Sequence, residues 1–377
     1  MRWTRQAGRG LCHPGDPMPK ATPPAGRATT IGDHLPEAYF DEAAQTFSRA
    51  VSSTGSGHDF SIVIDGLRIR LRFAGKDLSN KLRPTLAHLE TADNLPDDFT
   101  ICCWDDEGAG TVMPHPVEWM FHHYAYSFLP VLTNSRFRTF YIDWFQALSC
   151  LDLESRVAYC CYRRASKLPM YEVSAPLRPI FNTILNQRGM QLVHASAVGT
   201  EKGTVLFSGP PLSGKSTMAI HCLLDGLFYQ SDDICVLTSE EKPRSLSLYN
   251  IAKLREDSLP HFKSLHPVLS QFQEEDEKKS FFYVHHHFPE KVLKAAPICA
   301  LLLPRIVDEP FSRLEPASGM DAIRGLIPWT IKEIPKADDL GEKIMLKAVS
   351  RLPSWHLLLG RDTGHTLKLI RSLLPAP

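Results

Sequence analysis

Near the middle of the chain the sequence reads Gly209-Pro210-Pro211-Leu212-Ser213-Gly214-Lys215-Ser216-Thr217. This is the spacing of a phosphate-binding P-loop, in which the glycines let the backbone turn and present N–H groups to phosphate oxygens. Lys215 can reach the β- and γ-phosphates of ATP, and Ser216 can bind Mg²⁺. The helix that begins near Lys215 adds the positive end of its dipole. We therefore expect residues 209–217 to bind ATP together with Mg²⁺.

The residues on either side of this loop fit a strand–loop–helix unit. The apolar run Val205-Leu206-Phe207 comes directly before it and is typical of a buried strand. Residues 217–224 form an apolar helical stretch that stops at Gly226. A glycine-rich turn without a ligand is the alternative, but this context favours a nucleotide site.

Two aspartates follow the next strand pattern. The apolar run Leu227-Phe228-Tyr229 leads into Asp232 and Asp233. In P-loop enzymes, acidic residues at the end of a neighbouring strand hold Mg²⁺ or orient the attacking hydroxyl. In isolation an Asp-Asp pair is usually a solvated turn. One strand after a P-loop, we expect both carboxylates to belong to the site, with Asp232 and Ser216 as candidate Mg²⁺ ligands.

The composition excludes several classes of partner. The chain has 377 residues, which predicts two domains, and its 42 basic and 42 acidic residues cancel. Neutrality gives no reason to expect binding to nucleic acid or to an acidic membrane. Nine cysteines without a CxxC spacing are typical of reduced thiols in a cytosolic protein. The sequence also lacks an apolar run of the roughly 20 residues that cross a bilayer. These features predict a cytoplasmic location.

A hairpin is predicted between residues 60 and 73. The dipeptide Asp65-Gly66 separates two strand-like runs, which is a strong signal for a tight turn. In the second arm Arg68, Arg70 and Arg72 alternate with apolar residues. We expect these arginines to lie on the solvated face of a half-buried strand. A basic binding ribbon is the alternative.

Two further groups of side chains look functional but have simpler explanations. Adjacent histidines in an extended segment point to opposite sides, so we expect the run His285-His286-His287 not to bind a metal. An aromatic cluster and a histidine pair in the first half are more typical of a core or an interface than of a site. The aromatic residues of the first half are Trp119, Phe121, Tyr124, Tyr126 and Phe128, and the histidine pair is His122-His123.

From residue 194 to residue 233 the chain resembles the HPr kinase/phosphorylase superfamily, whose P-loop core has the fold of phosphoenolpyruvate carboxykinases. The similarity lies in a histidine that begins the strand pair before the loop, in the loop itself, and in the Asp-Asp pair after a glycine-ended helix. It implies that Lys215 and the loop amides hold the triphosphate and that Ser216 holds Mg²⁺. It also implies that Asp233 is the base for a protein serine hydroxyl and that His194 lines the reaction centre.

Two features depart from the pattern of this superfamily. Pro210-Pro211 stand where small, flexible residues are usual, which alters the first half of the phosphate cradle. The glycine-rich signature that follows the Asp pair is replaced by residues 247–258, a form that resembles the divergent HPr-kinase-related proteins of bacteria. There Lys253 is a candidate for a further charge against phosphate, and Glu256 or Asp257 for a group near the metal. An ordinary surface position is the alternative for each.

The predicted fold is α/β, with a disordered tail at 1–31, an α+β accessory domain at 32–190 and a phosphoenolpyruvate-carboxykinase-like P-loop kinase domain at 191–377. A helix over 176–186 would join the two domains, and Met18 is an alternative start. We expect an ATP- and Mg²⁺-dependent kinase that phosphorylates serine of a protein or peptide, without nucleic acid or membrane partners. A homo-oligomer is left open. An ATP-binding regulatory module without phosphoryl transfer and a small-molecule kinase are the alternatives.

Overall fold

The computed structural model describes residues 35–55, 58–93, 95–113, 127–273, 278–336 and 338–376. The predicted tail lies outside the described residues, as does the aromatic and histidine group except for Phe128. The elements of the first half are α1 (Leu35–Thr54), β1 (Phe60–Ile64), β2 (Leu67–Ala74), α2 (Lys76–Leu86), β3 (Glu90–Thr91), β4 (Phe99–Asp105), α3 (Asp106–Ala109), β5 (Ser127–Phe128), β6 (Phe137–Ile142), β7 (Ala147–Asp152), β8 (Val157–Tyr162), α4 (Met170–Ser174) and α5 (Arg178–Asn186).

The strands of the first half form one sheet in the order β3-β1-β2-β4-β8-β7-β6-β5. The predicted hairpin is confirmed, since β1 and β2 pair antiparallel with Ile64 opposite Leu67. Its turn residues Asp65 and Gly66 have φ angles of 48° and 81°. Positive φ at both positions is the geometry that Asp-Gly favours, because its twist matches that of the strands.

The prediction for the arginines of β2 is correct for two of the three. Arg70 and Arg72 are exposed and both contact Asp59. The prediction was wrong for Arg68, which is buried and forms ion pairs with Asp93 and Asp97. A buried guanidinium requires such partners. Asp93 and Asp97 belong to the segment after α2, and the alternation of residues within β2 gives no information about that segment.

The second half continues the chain with more strands and helices. They are β9 (Met190–Thr200), β10 (Gly203–Ser208), α6 (Lys215–Leu224), β11 (Phe228–Ser231), β12 (Ile234–Thr238), β13 (Arg244–Leu246), β14 (Ile251–Arg255), β15 (Ser270–Gln273), β16 (Lys278–Tyr283), α7 (Val284–His287), β17 (Ala295–Ile306), β18 (Arg313–Pro316), α8 (Gly319–Glu333), α9 (Leu340–Val349), β19 (Ser354–Leu359) and α10 (Thr363–Ser372).

The sheet of the second half is built around β9 and β10. Strand β9 pairs antiparallel with both β10 and β12, and β10 pairs parallel with β17. Strand β13 joins β12 to β17, so five strands form a closed ring of pairings. Strand β10 is buried throughout. Val205 and Phe207 share a core with Met218 of α6, whereas Leu206 belongs to a second core with Leu326 and Met345. This alternation is the two-residue period of a strand covered on both faces.

The described residues therefore have a mixed α/β architecture, as the sequence predicts. One apolar core extends across residue 190, since Phe181 and Ile184 of α5 belong to it together with Leu192 and Val236. The division of the chain at this residue stays a prediction.

The prediction that His285-His286-His287 is extended was wrong, because these residues form the one-turn helix α7. The backbone N–H of His285 donates to Asn250 Oδ1 at 2.7 Å, a long-range contact that fixes the start of the turn. The described cysteines are free thiols. Among the described helices, none has the length and apolar character needed to cross a membrane.

Candidate active site

The loop at residues 209–214 joins the end of β10 to the start of α6. Gly209 and Gly214 have φ angles of 144° and 100°, a region that favours glycine, and Leu212 also has a positive φ of 65°. A Cβ atom on Gly214 would lie 2.7 Å from Leu359 Cδ1. Position 214 thus needs glycine for its backbone angle, and a larger residue would also have to displace the end of the Leu359 side chain.

Lys215 is enclosed by the loop that precedes it. Its side chain is buried, with 6% of the residue exposed, and Nζ donates to the carbonyl oxygens of Gly209 and Pro210 at 2.9 Å each. Proline lacks an N–H but keeps its carbonyl, so Pro210 still takes part in the loop. An ammonium has three N–H groups, and these two contacts leave one for a ligand.

Burial lowers the pKa of Lys215, while the carboxylates of Asp233 and Asp232 act in the opposite direction. The hydroxyl of Ser213 is buried without a hydrogen-bond partner. Burying a hydroxyl without a hydrogen-bond partner destabilises the folded protein, unless a bound ligand or water supplies that partner. A phosphate oxygen held by the loop would accept from both Ser213 and Lys215, so these residues fit a nucleotide.

Asp232 follows β11 and is buried, with 1% of the residue exposed. Its Oδ2 accepts from the backbone N–H of Lys253 at 3.0 Å, and the Ser196 hydroxyl donates to its main-chain oxygen. Burial and the charge of Asp233 raise the pKa of Asp232 to about 6, against the opposing effects of Lys253 and Ser216.

Ser216 stands in the first turn of α6, and its hydroxyl is one of the groups that favour the ionised form of Asp232. Oxygen atoms of this kind are the ligands that Mg²⁺ prefers, usually completed by water and phosphate. Among the described residues, no group of three or more His, Cys, Asp or Glu side chains is arranged to hold a metal ion by itself. The pair fits a Mg²⁺ that arrives with a nucleotide.

Asp233 lies next to His194 and Lys253. Its side chain is 37% exposed, its Oδ1 lies 3.9 Å from His194 Nδ1, and its Oδ2 forms an ion pair with Lys253 Nζ. Burial by itself would raise the pKa of Asp233, but Lys253, His194 and Lys215 outweigh it and hold this pKa well below its usual range. Burial lowers the pKa of His194, with Asp233 opposing. The arrangement is an ionised carboxylate beside a histidine and a lysine.

The strand pairing explains how these residues meet. His194 on β9 is the register partner of Ile234 on β12, so Asp233 reaches the same edge as His194. The same edge receives the loop, because β10 pairs with β9 and ends at Ser208 opposite Ala195. The residues that the sequence assigns to the site are therefore brought together around this edge.

Several contacts of the site have no signal in the sequence. Thr330 of α8 accepts from the backbone N–H of His194 at 3.0 Å. Ser174 of α4 lies with its Oγ 3.4 Å from Lys253 Nζ. Of the three candidates after the Asp pair, Lys253 contacts both carboxylates, whereas Glu256 and Asp257 are exposed. Asp257 pairs instead with Arg255.

Comparison with known proteins gives little further information. No family model matches the chain, and no curated protein sequence matches it. A solved structure to which it is similar is the Hpr(Ser) kinase/phosphatase from Coxiella burnetii, with 13% sequence identity and a TM-score of 0.25. The alignment covers 48% of this chain and 93% of that one. A likeness this weak carries no argument about function, and the superfamily expected from the sequence stays a prediction.

Proposed function

We propose that this chain is an ATP- and Mg²⁺-dependent phosphotransferase of the HPr-kinase-like type, with a phosphoenolpyruvate-carboxykinase-like P-loop core. It would transfer the γ-phosphoryl group to a hydroxyl, namely serine of a protein or peptide. The observation that carries the proposal is the contact of Asp233 with His194, at the edge of the sheet where β10 leads into the loop that holds Lys215. A cation for the phosphates and a carboxylate that orients the incoming hydroxyl are recurring parts of sites that transfer phosphoryl groups.

Each residue then has a role that follows from its surroundings. The loop amides, the Ser213 hydroxyl and the free N–H of Lys215 would hold the phosphates. Ser216 and Asp232 would hold Mg²⁺, which supplies charge neutralisation at the β- and γ-oxygens. Asp233 would orient the acceptor hydroxyl and take its proton, since it is the carboxylate with the more exposed side chain.

One observation favours a second candidate function. The ion pair with Lys253 stabilises the ionised form of Asp233 and makes it a weaker base. If Lys253 stayed on Asp233 after ATP bound, the carboxylate would serve poorly in proton transfer. The chain would then act as an ATP-binding regulatory module whose occupied state changes a partner interaction.

The test is to incubate the full chain with γ-labelled ATP and a lysate of its own host, and to identify what becomes labelled. We expect label on serine of a protein or peptide. If label appears only in small molecules, the acceptor is a small molecule and the proposed protein or peptide acceptor is wrong. Binding of Mg·ATP with no labelled acceptor would contradict the kinase and support the regulatory module.

A further inference from the structure

We propose that Lys253 is a second phosphate-binding cation of this site, acting with Lys215 on the nucleotide. This inference rests on the proposed function, because it assumes that the loop binds a nucleoside triphosphate. It extends that function by a residue outside the P-loop, on strand β14.

Both ends of Lys253 are fixed to the aspartate pair. Its backbone N–H donates to Asp232 Oδ2 at 3.0 Å, and its Nζ forms an ion pair with Asp233. Strand β14 is itself held by antiparallel pairing with β16, with Lys253 opposite Phe281. The ammonium is therefore directed to the same edge as the loop, rather than left on a mobile surface chain.

The side chain of Lys253 is 16% exposed, so most of its water has been removed. Removing water from an ammonium is unfavourable unless nearby groups compensate. Here the compensation comes from Asp233 and from Ser174, whose hydroxyl oxygen lies 3.4 Å from Nζ. Two of the three N–H groups of the ammonium thus have partners, and one is available to a ligand.

The charges around this ammonium suggest what that ligand is. Lys253 forms an ion pair with Asp233, and Lys215 also favours the ionised form of this carboxylate, so two cations act on Asp233. A triphosphate in the loop would bring further negative charge to this edge and would compete with Asp233 for Lys253. Movement of Lys253 toward phosphate would also release Asp233 for the acceptor hydroxyl.

The alternative is that Lys253 only neutralises Asp233 and has no contact with the nucleotide. A double-mutant cycle separates these roles, because Asp233→Asn removes the charge that needs neutralising. We would measure Mg·ATP and Mg·ADP binding by calorimetry for the wild type, Asp233→Asn, Lys253→Met and the double variant. Thermal unfolding shows whether each variant is folded, and the double variant avoids an unpaired buried charge. Lys253→Arg tests whether positive charge is sufficient.

We expect Lys253→Met to weaken Mg·ATP binding about 10- to 100-fold, both in the wild type and in the Asp233→Asn variant. This is the effect expected when a charged hydrogen bond to the ligand is lost. A smaller loss for Mg·ADP would assign the contact to the γ-phosphate. The control is Lys202→Met, an exposed lysine in the turn at the far end of β10, which should leave binding unchanged.

Equal affinities of Asp233→Asn and the double variant would overturn the proposal and leave the kinase assignment intact. Conversely, Lys253→Met could weaken Mg·ATP binding although the wild type labels no acceptor. That result would contradict the proposed kinase activity and support Lys253 as a phosphate-binding cation. A wild type that binds no nucleotide would overturn both.

Discussion

His194 Nδ1 lies 3.9 Å from Asp233 Oδ1, although the P-loop and helix α6 separate the two residues in the sequence. The contact depends on the antiparallel pairing of β9 with β12. It places a histidine beside an ionised carboxylate, because the burial of Asp233 is outweighed by nearby cations, chiefly Lys253, which hold the pKa of Asp233 well below its usual range. Such a carboxylate can orient a hydroxyl, and it becomes a stronger base once Lys253 moves away from it.

Replacement of Asp233 by Asn tests that role directly. The amide keeps the size of the side chain but removes its basicity, so transfer of labelled phosphate should fall by about 10²–10⁴-fold. Affinity for Mg·ATP, measured by calorimetry, should change by less than about 1 kcal/mol, since Asp233 is assigned to the acceptor. Asp225→Asn, at the opposite end of α6, is the control. Transfer at the wild-type rate in Asp233→Asn would show that this carboxylate is not the base.

Lys215→Ala should weaken Mg·ATP binding by about 2–3 kcal/mol, because it removes a charged hydrogen bond to phosphate. The change also removes two contacts with the loop carbonyls. Lys291→Ala is a matched control, since Lys291 likewise donates to a backbone carbonyl, that of Gly226, and lies at the far end of α6. If calorimetry finds the same Mg·ATP affinity in Lys215→Ala as in the wild type, this loop is not the nucleotide site.

Gly214→Ala should impair the loop even though it adds only a methyl group. The φ angle of 100° is unfavourable for alanine, and the new Cβ would lie 2.7 Å from Leu359 Cδ1. We expect nucleotide affinity to fall and the free energy of unfolding to drop by about 1–3 kcal/mol. Gly226→Ala separates strain from crowding, since Gly226 also has a positive φ but open space around its Cβ. An equal effect of both variants on nucleotide affinity would contradict a specific role for position 214.

Acid should destabilise the first sheet through Asp152. Its side chain is 1% exposed and accepts from Arg136. Burial would raise the pKa of Asp152, but hydrogen bonds from Arg136 and Ser155 lower it from 3.8 to about 2. Since the folded state has the lower pKa, this stabilisation is fully present above pH 3.8 and is lost as the pH falls toward about 2.

Asp152→Asn should therefore lower the free energy of unfolding at pH 7 by about 1–2 kcal/mol, after allowance for solvent around the partly exposed Arg136. Chemical denaturation at several pH values would show the difference from wild type shrinking below pH 3.8. Glu154→Gln is the control on the same arginine, because Glu154 is 72% exposed and should contribute less than about 0.5 kcal/mol. A difference that stays constant down to pH 2 would assign the effect to packing instead.

A fragment of residues 170–377 should unfold at a higher temperature than one of residues 191–377. The longer fragment keeps α5, whose Phe181 shares an apolar core with Leu192, and the contact of Tyr249 with the carbonyl of Pro176 at 2.7 Å. Thermal unfolding followed by circular dichroism would measure the difference. Equal unfolding temperatures would support the domain boundary predicted at residue 190.

Local chemistry explains what could be read from the sequence alone. The P-loop, the strand before it and the helix after it follow from residue spacing and apolar periodicity within a few turns of chain. The hairpin turn likewise depends only on Asp65-Gly66, because its φ angles are a property of those two residues. For the same reason, the Asp pair could be placed after a strand without knowledge of its partners.

Tertiary structure alone decided which side chains became partners. Arg68 is buried because Asp93 and Asp97 come to it from another segment, and α7 forms where Asn250 meets His285. The periodicity of apolar residues predicts which face of a helix or strand is buried. It does not predict which charged residue from a distant part of the chain will lie against that face. The ion pair of Lys253 with Asp233 and its contact with Ser174 of α4 arise in this way. They exist because the folded chain removes these polar groups from water together, and a buried charge is stable only where the fold supplies its partner.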